Sequence, residues 1–288
     1  MDKPGFELPP WDHRACPTAT EDDIDLLVLR EGLKRAKLKR QGPVEAYLSD
    51  SERISPFVPP LCVREKFTGT LRPRNFAMLL FGRNVQQHVL GSWSIFARYA
   101  GTKNSDKVGE RHDISGTLLE QIDRLSSYLE AEAPMVFDKA DLDHPNIWKY
   151  PSEALREGMI NALAHRDFSI AEPTRFIAYA DRIEMHSPGG LPPGIALAAL
   201  RRGTALPRWR NQALAYFLSR LDLAQALGQG IATMRQSMKA LGCPPPRFAA
   251  TEISVSCILP ANRRLTEPRR IGLAAELDVL AHRVRRGA

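Results

Sequence analysis

REGMINALAHRDFS, residues 156–169, is apolar around most of its circumference, with Met159, Ile160, Ala162, Leu163 and Ala164 spread over it. Glu157, Asn161 and His165 are nevertheless interleaved at steps of four. About 40° of drift per step keeps all three on one stripe of a helix. A carboxylate, an amide and an imidazole along one edge of a largely buried helix need partners, and a ligand is one way to supply them. The plainer alternative makes Glu157 a surface acid paired with Arg156 or Lys149, and His165 a hydrogen-bonder that pins the following loop. Upstream, Ser152 is the expected N-cap and Glu153 favours the helix dipole.

Outward from that helix the pattern alternates. TRFIAYADRIEMHS (174–187) reads as two strands joined tightly at Ala180 and Asp181. SPGGLPPG (187–194) cannot be helical, and RNQALAYFLSRLDLAQAL (210–227) and GIATMRQSMKALG (230–242) read as helices. EISVSCIL (252–259) is a strand with alternating faces. In the first half, TATEDDIDLLVLREGLKRAKLKR (18–40) reads as a Thr-capped helix with a basic end, Lys34, Arg35, Lys37, Lys39 and Arg40. NFAMLLFG (75–82) is a short apolar run, and SWSIFARYAG (92–101) reads as a strand. SGTLLEQIDRLSSYLEAEA (115–133) is an amphipathic helix with Leu118, Leu119, Ile122, Leu125 and Leu129 on one face, and DKADLDHPNIWKYP (138–151) is a turn-rich crossing. These readings divide the chain into an extended N-terminal arm (1–20), an accessory α/β module (21–145), a site-bearing domain (146–262) and a basic C-terminal helix or tail (263–288). The fold class expected is α/β, an α+β sandwich with helices on one face of a mixed sheet.

Composition narrows the classes. With 43% hydrophobic and 25% charged residues, the chain is globular rather than disordered. The net charge of +7 favours anionic partners without choosing among nucleotide, nucleic acid and acidic protein. Four separated cysteines, Cys16, Cys62, Cys243 and Cys257, support neither a zinc site nor a disulfide framework, and a reducing cytoplasm is the expected compartment. No apolar run approaches membrane-spanning length, so no membrane partner is expected.

Three elements of the second half belong together: the stripe Glu157, Asn161, His165; the loop from Ser187 through Gly189 and Gly190 to Pro192; and Gly228-Gln229-Gly230-Ile231 at a helix start. Gly-rich turns let backbone N–H groups approach phosphate, and a helix start adds a favourable dipole. An amide oxygen suits a hard cation such as Mg²⁺, and a carboxylate one turn earlier can deprotonate a water.

That order resembles the ATP-binding (GHKL-like, Bergerat-type) fold of gyrase, the ninety-kilodalton heat-shock chaperone, sensor histidine kinases and MutL. There a helix carries E-x-x-x-N-A, and EGMINA (157–162) fits it. A closer resemblance is to the bacterial family of RecG-related transcriptional regulators and ATP-binding proteins. Its signature is matched in order by YPSEALREGMINALAHRDFS, DRIEMHSPGGLPPG, Arg210-Asn211 and GQGIATM; AMLLFG, RYAGT and GTLLEQI also look like it. The resemblance spans roughly residues 10 to 260. It implies ATP and Mg²⁺ as cofactors, Glu157 as general base and Asn161 as the Mg²⁺ ligand. His165, Arg166 and Asp167 would form the pocket floor, Gly189 and Gly190 would admit the adenine, and Gly228, Gly230 and Ile231 would line the phosphates. Ser187 stands where the wider superfamily has an adenine-binding Asp, and Gly158 where the family usually has Ala.

PPWDHRACPTATEDDIDLLVLRE (9–31) resembles the segment that follows an AlbA-like (Schlafen-type) DNA-binding domain in that family, so such a domain is expected to be missing here. No G-x-x-x-x-G-K-[ST] loop occurs, and helicase activity is not expected. Two functions stay open. One is an ATP-binding transcriptional regulatory protein with slow ATPase activity. The other is a catalytically inactive adaptor or DNA-associated subunit of a transcription, mobile-element or defence complex. Expected partners are nucleotide, DNA through basic patches such as Arg201, Arg202, Arg208 and Arg210, a protein carrying a DNA-binding domain, and a second copy of the chain as a homodimer.

Overall fold

Alternation of buried and half-exposed positions builds the main sheet, and the register of its strands decides where the site lies. The computed structural model describes residues 9–38, 42–137, 146–206, 208–224 and 228–266. Its strands are β1 (Cys62–Arg64), β2 (Leu71–Pro73), β3 (Ser94–Tyr99), β4 (Val108–Ile114), β5 (Met135–Phe137), β6 (Asn146–Trp148), β7 (Thr174–Ala178), β8 (Arg182–Pro188), β9 (Arg247–Ala250) and β10 (Ser254–Pro260). Its helices are α1 (Leu26–Arg35), α2 (Asn75–Phe81), α3 (Val85–His88), α4 (Leu118–Glu130), α5 (Ser152–Ala164), α6 (Leu197–Arg202), α7 (Gln212–Arg220), α8 (Gly230–Ala240) and α9 (Arg263–Thr266).

Six strands form one mixed sheet in the order β4-β3-β7-β8-β10-β9; β3 and β7 run parallel and the other pairs antiparallel. The register lines up one residue per strand: His112, Phe96, Phe176, Met185, Cys257 and Phe248. Period-2 alternation puts this whole row on the face that carries the helices. Phe96 and His112 both stack on Tyr128 of α4, and Met185 packs under α5. Each large side chain buried in this row contributes about 1.5–3 kcal/mol. The opposite face presents Arg175, Glu184, His186 and Ser256 at half-exposed positions. The fold is thus a mixed α/β sandwich with α4, α5 and α8 layered on one sheet face.

The strands β3 and β4, from the first half, are continuous with the strands that follow residue 173, and one apolar core runs through both halves. The N-terminal segment joins that core from Pro9 onward. Ala15 bridges to Arg74, Trp11 stacks on Phe168, and the buried Asp12 carboxylate accepts from the Ala213 and Leu214 amides, capping α7 from 201 residues away.

Several local expectations are corrected. The first helix starts later: Thr20 closes a capping box with Asp23 on a short 3-10 turn, and Asp25 is the N-cap of α1, accepting from Leu27 and Val28. Ser152 is the first helical residue of α5 rather than its cap, because the carbonyl of Pro151 already accepts from Ala154 and Leu155. NFAMLLF is helical, with every residue buried. The 210–227 helix ends at Arg220, where Asp222 adopts a positive φ and breaks the ladder. Residues 1–8, 39–41, 138–145, 207, 225–227 and 267–288 lie outside the described residues, and with them part of the expected arm, Lys39 and Arg40 of the basic helix end, and most of the expected crossing and basic tail.

Candidate functional site

The three sequence elements converge on one hollow of about 150 Å³. On that measure a water needs roughly 10–15 Å³, so it holds on the order of ten waters. Glu157, Asn161 and His165 line it from α5, Ser187, Gly189 and Gly190 from the end of β8, and Gly228, Gly230 and Ile231 from the start of α8. Arg166 and Asp167 do not line it.

Glu157 is the one carboxylate among the described residues that line the hollow. Its Oε1 accepts from Asn161 Nδ2 at 2.8 Å, one helical turn away. A Cβ placed on Gly230 would overlap the carboxylate, so the acid lies directly against the first residue of α8. Burial pushes the Glu157 carboxyl above its ordinary range; the Asn161 bond and the Arg156 charge only partly oppose it. Neither expected surface partner is used, since Arg156 donates to the Asp222 carbonyl and Lys149 pairs with Glu132. Among the described residues no ion pair and no second hydrogen bond engages Glu157. A desolvated carboxylate of raised basicity is what proton abstraction from water needs.

Close packing seats α5. A Cβ on Gly158 would come within 2.7 Å of Met185 Sδ, so glycine lets the helix sit on the central row of the sheet, where a methyl group would push it away. That close approach offsets the roughly 1 kcal/mol that glycine costs inside a helix. His165 stacks on Trp209, ring centroids 4.6 Å apart and planes at 7°. Burial, helped by Arg210, pushes its imidazole down to about 4, so it is neutral at physiological pH. Ser187 Oγ donates to the Ala162 carbonyl at 2.7 Å, which joins β8 to α5 and leaves the hydroxyl oxygen only as an acceptor toward the hollow.

Arg166, Asp167, Arg210 and Asn211 form a clamp behind the loop. Arg166 is buried and donates to the carbonyls of Trp93, Ile170 and Glu172 and to Thr174 Oγ1; burial lowers its guanidinium to about 10. Arg210 pairs with Asp167 at 3.0 Å and donates to the carbonyls of His165 and Gly190. Asn211 donates to the carbonyls of Ala164 and Arg166. Asp167 in turn donates its amide to Pro188, and Gly189, at φ +97°, donates to the Ile253 carbonyl. That left-handed conformation strains any other residue, and Asp167 Cβ leaves no room for one.

The sequence reading missed the apolar wall: Met185, Ile195, Leu206, Trp209, Phe248 and Cys257. The alternation in EISVSCIL could have placed Cys257, but Trp209 and Phe248 come from segments without a periodic signal. Burial, with Glu157 nearby, pushes the Cys257 thiol up to about 12.

A six-stranded mixed sheet with helices layered on one face is consistent with an ATPase-like α+β fold. Residues 173–259 match the family described as "Putative ATP-dependent DNA helicase recG C-terminal". The match takes in both glycine turns but begins after α5, so it leaves Glu157 and Asn161 outside it. No curated protein matches the chain. A crystal structure of the DIP2311 protein from Corynebacterium diphtheriae is similar in fold, with a TM-score of 0.58 and 24% identity over 88% of this chain. This chain spans 47% of that protein's length. No described helix is long and apolar enough to cross a membrane.

Proposed function

We propose that the chain is an ATP-binding regulatory protein in which slow, Mg²⁺-assisted hydrolysis acts as a switch. The observation that carries this reading is the desolvated Glu157 carboxylate, held by Asn161 against the start of α8 inside the hollow. The base occupies the apolar part, and Ser187 Oγ accepts from an exocyclic amino group. Backbone N–H groups of Gly228 to Ile231 meet the phosphates at the helix start. Glu157 takes a proton from a water whose oxygen bonds to the terminal phosphorus, as the bond from that phosphorus to the departing nucleoside diphosphate breaks.

The donor set fits a hard cation shared with phosphates. Asn161 spends its Nδ2 on Glu157, and no hydrogen bond among the described residues engages its Oδ1. Those residues also contain no cluster of three or more His, Cys, Asp and Glu that could form an all-protein cage. Asn161 Oδ1 would hold Mg²⁺, which when bound neutralises charge on the phosphate oxygens.

Glu157→Gln tests the reading. Hydrolysis of ATP should fall by about 100-fold or more while affinity changes by less than about threefold. Unchanged turnover in the variant would remove Glu157 from the chemistry. A second reading rests on Ser187, whose hydroxyl hydrogen is tied to Ala162 where the wider superfamily has a carboxylate. On that reading the chain is a catalytically inactive adaptor that binds DNA or a partner protein through its basic surface. Salt-steep DNA binding indifferent to nucleotide would favour it.

A further inference from the structure

The charges around the hollow are unevenly used, and one cation has no assigned task. Among the described lining residues only Glu157 and Arg208 are charged. The other basic residues of the 201–210 stretch are committed elsewhere or lie outside the lining. Arg201 donates to the Phe248 carbonyl, Arg210 is locked into the clamp with Asp167, and Arg202 is exposed away from the hollow. Arg208 makes one hydrogen bond, Nη1 to the Pro193 carbonyl at 3.1 Å, and among the described residues no carboxylate pairs with it. Its guanidinium packs over Gly194, whose Cβ, if present, would lie 3.5 Å from Cζ. A guanidinium has five N–H donors in a fixed fork, so most of this one remains available to an anion.

Placement adds a second argument. Leu206 and Trp209, on either side of Arg208 in sequence, also line the hollow, and Leu206 is 81% exposed, so this edge is where the hollow meets solvent. A triphosphate is a chain of several negative charges and needs cations besides Mg²⁺.

We propose that Arg208 supplies a phosphate-contacting side chain to this site and sets its preference for phosphorylated over unphosphorylated ligand. The proposal rests on the nucleotide reading above and adds to it a contact that neither glycine turn provides. Because Arg208 is tethered to the SPGGLPPG loop through Pro193, the same contact joins the 203–210 segment, the loop after β8 and the ligand.

The test measures dissociation constants of ATP and adenosine for wild type, Arg208→Gln and Arg208→Lys. Arg208→Gln should weaken ATP by about ten- to a hundred-fold and leave adenosine within about twofold, with Arg208→Lys between the two for ATP. Equal weakening of both ligands would make Arg208 a loop support, and no weakening of either would remove it from the site; each overturns the inference alone. A wild-type chain that binds neither ATP nor adenosine overturns the nucleotide reading and this inference together.

Discussion

Two groups of polar residues lie on either side of the loop after β8, and they are used in opposite ways. In the clamp, Arg166, Arg210 and Asn211 donate mainly to backbone carbonyls, with one further bond to Thr174 Oγ1 and an ion pair to Asp167; Arg166 and Asn211 are buried, and only Arg166 Nε and Asn211 Oδ1 lack a partner among the described residues. Around the hollow, among the described residues, Glu157 has one partner, no hydrogen bond engages Asn161 Oδ1, and Arg208 has one carbonyl. Densely bonded networks rigidify a fold, whereas polar groups with few partners on a concave surface are open to a ligand. The clamp holds the loop in shape, and the hollow's edge is where chemistry can happen. The motif HRD, contiguous in sequence, straddles the divide: the His165 ring faces the hollow and the next two residues face the clamp.

The largest effect should come from breaking the clamp. Arg166→Ala leaves the carbonyls of Ile170 and Glu172 and the Thr174 hydroxyl without their donor, and that of Trp93 with the Thr174 amide alone, and should cost about 3–5 kcal/mol in urea-induced unfolding. A loss below about 1 kcal/mol would mean that water replaces the guanidinium and that the clamp is not rigid. Gly230→Ala acts on the other group. Its methyl displaces the mobile end of Glu157, so hydrolysis should fall by about tenfold or more while stability moves by less than about 1 kcal/mol. Unaltered hydrolysis with a bound methyl would show that the acid has no catalytic position to lose.

The smallest effect is one of pH. Burial raises the Glu157 carboxyl above 4.5 in the folded chain. Its favourable contribution is therefore fully present below 4.5 and lost as pH rises through the folded value. Glu157→Gln should gain stability relative to wild type as pH climbs from 4 to 7, measured by thermal unfolding across that range. The opposite slope would place the carboxylate in a favourable, paired setting.

Much of the fold was legible because the information is local. The one-sided apolar face of Leu118, Leu119, Ile122, Leu125 and Leu129 gives α4, the alternation in SVSCIL gives β10, and the polar stripe on an otherwise apolar segment gives α5. The short apolar run NFAMLLF has no polar face, so its period carries no signal, and only burial on all sides makes it a helix. The site was legible where spacing alone places side chains, as with Glu157 and Asn161. It was not legible where partners come from afar: Asp12 capping α7, Trp209 stacking on His165, or Arg210 turning Asp167 away from the hollow. Arg166 and Arg208 look alike in sequence, and only tertiary neighbours make one a buried strut and the other an exposed cation.

The central claim, that the acid–amide pair on α5 serves a metal-bound nucleotide, is tested most directly by titrating ATP into wild type and Asn161→Ala, each with Mg²⁺ and with chelator. Wild type should bind at least about tenfold more tightly with Mg²⁺, and Asn161→Ala should lose most of that gain. Equal affinity in all four titrations would contradict it.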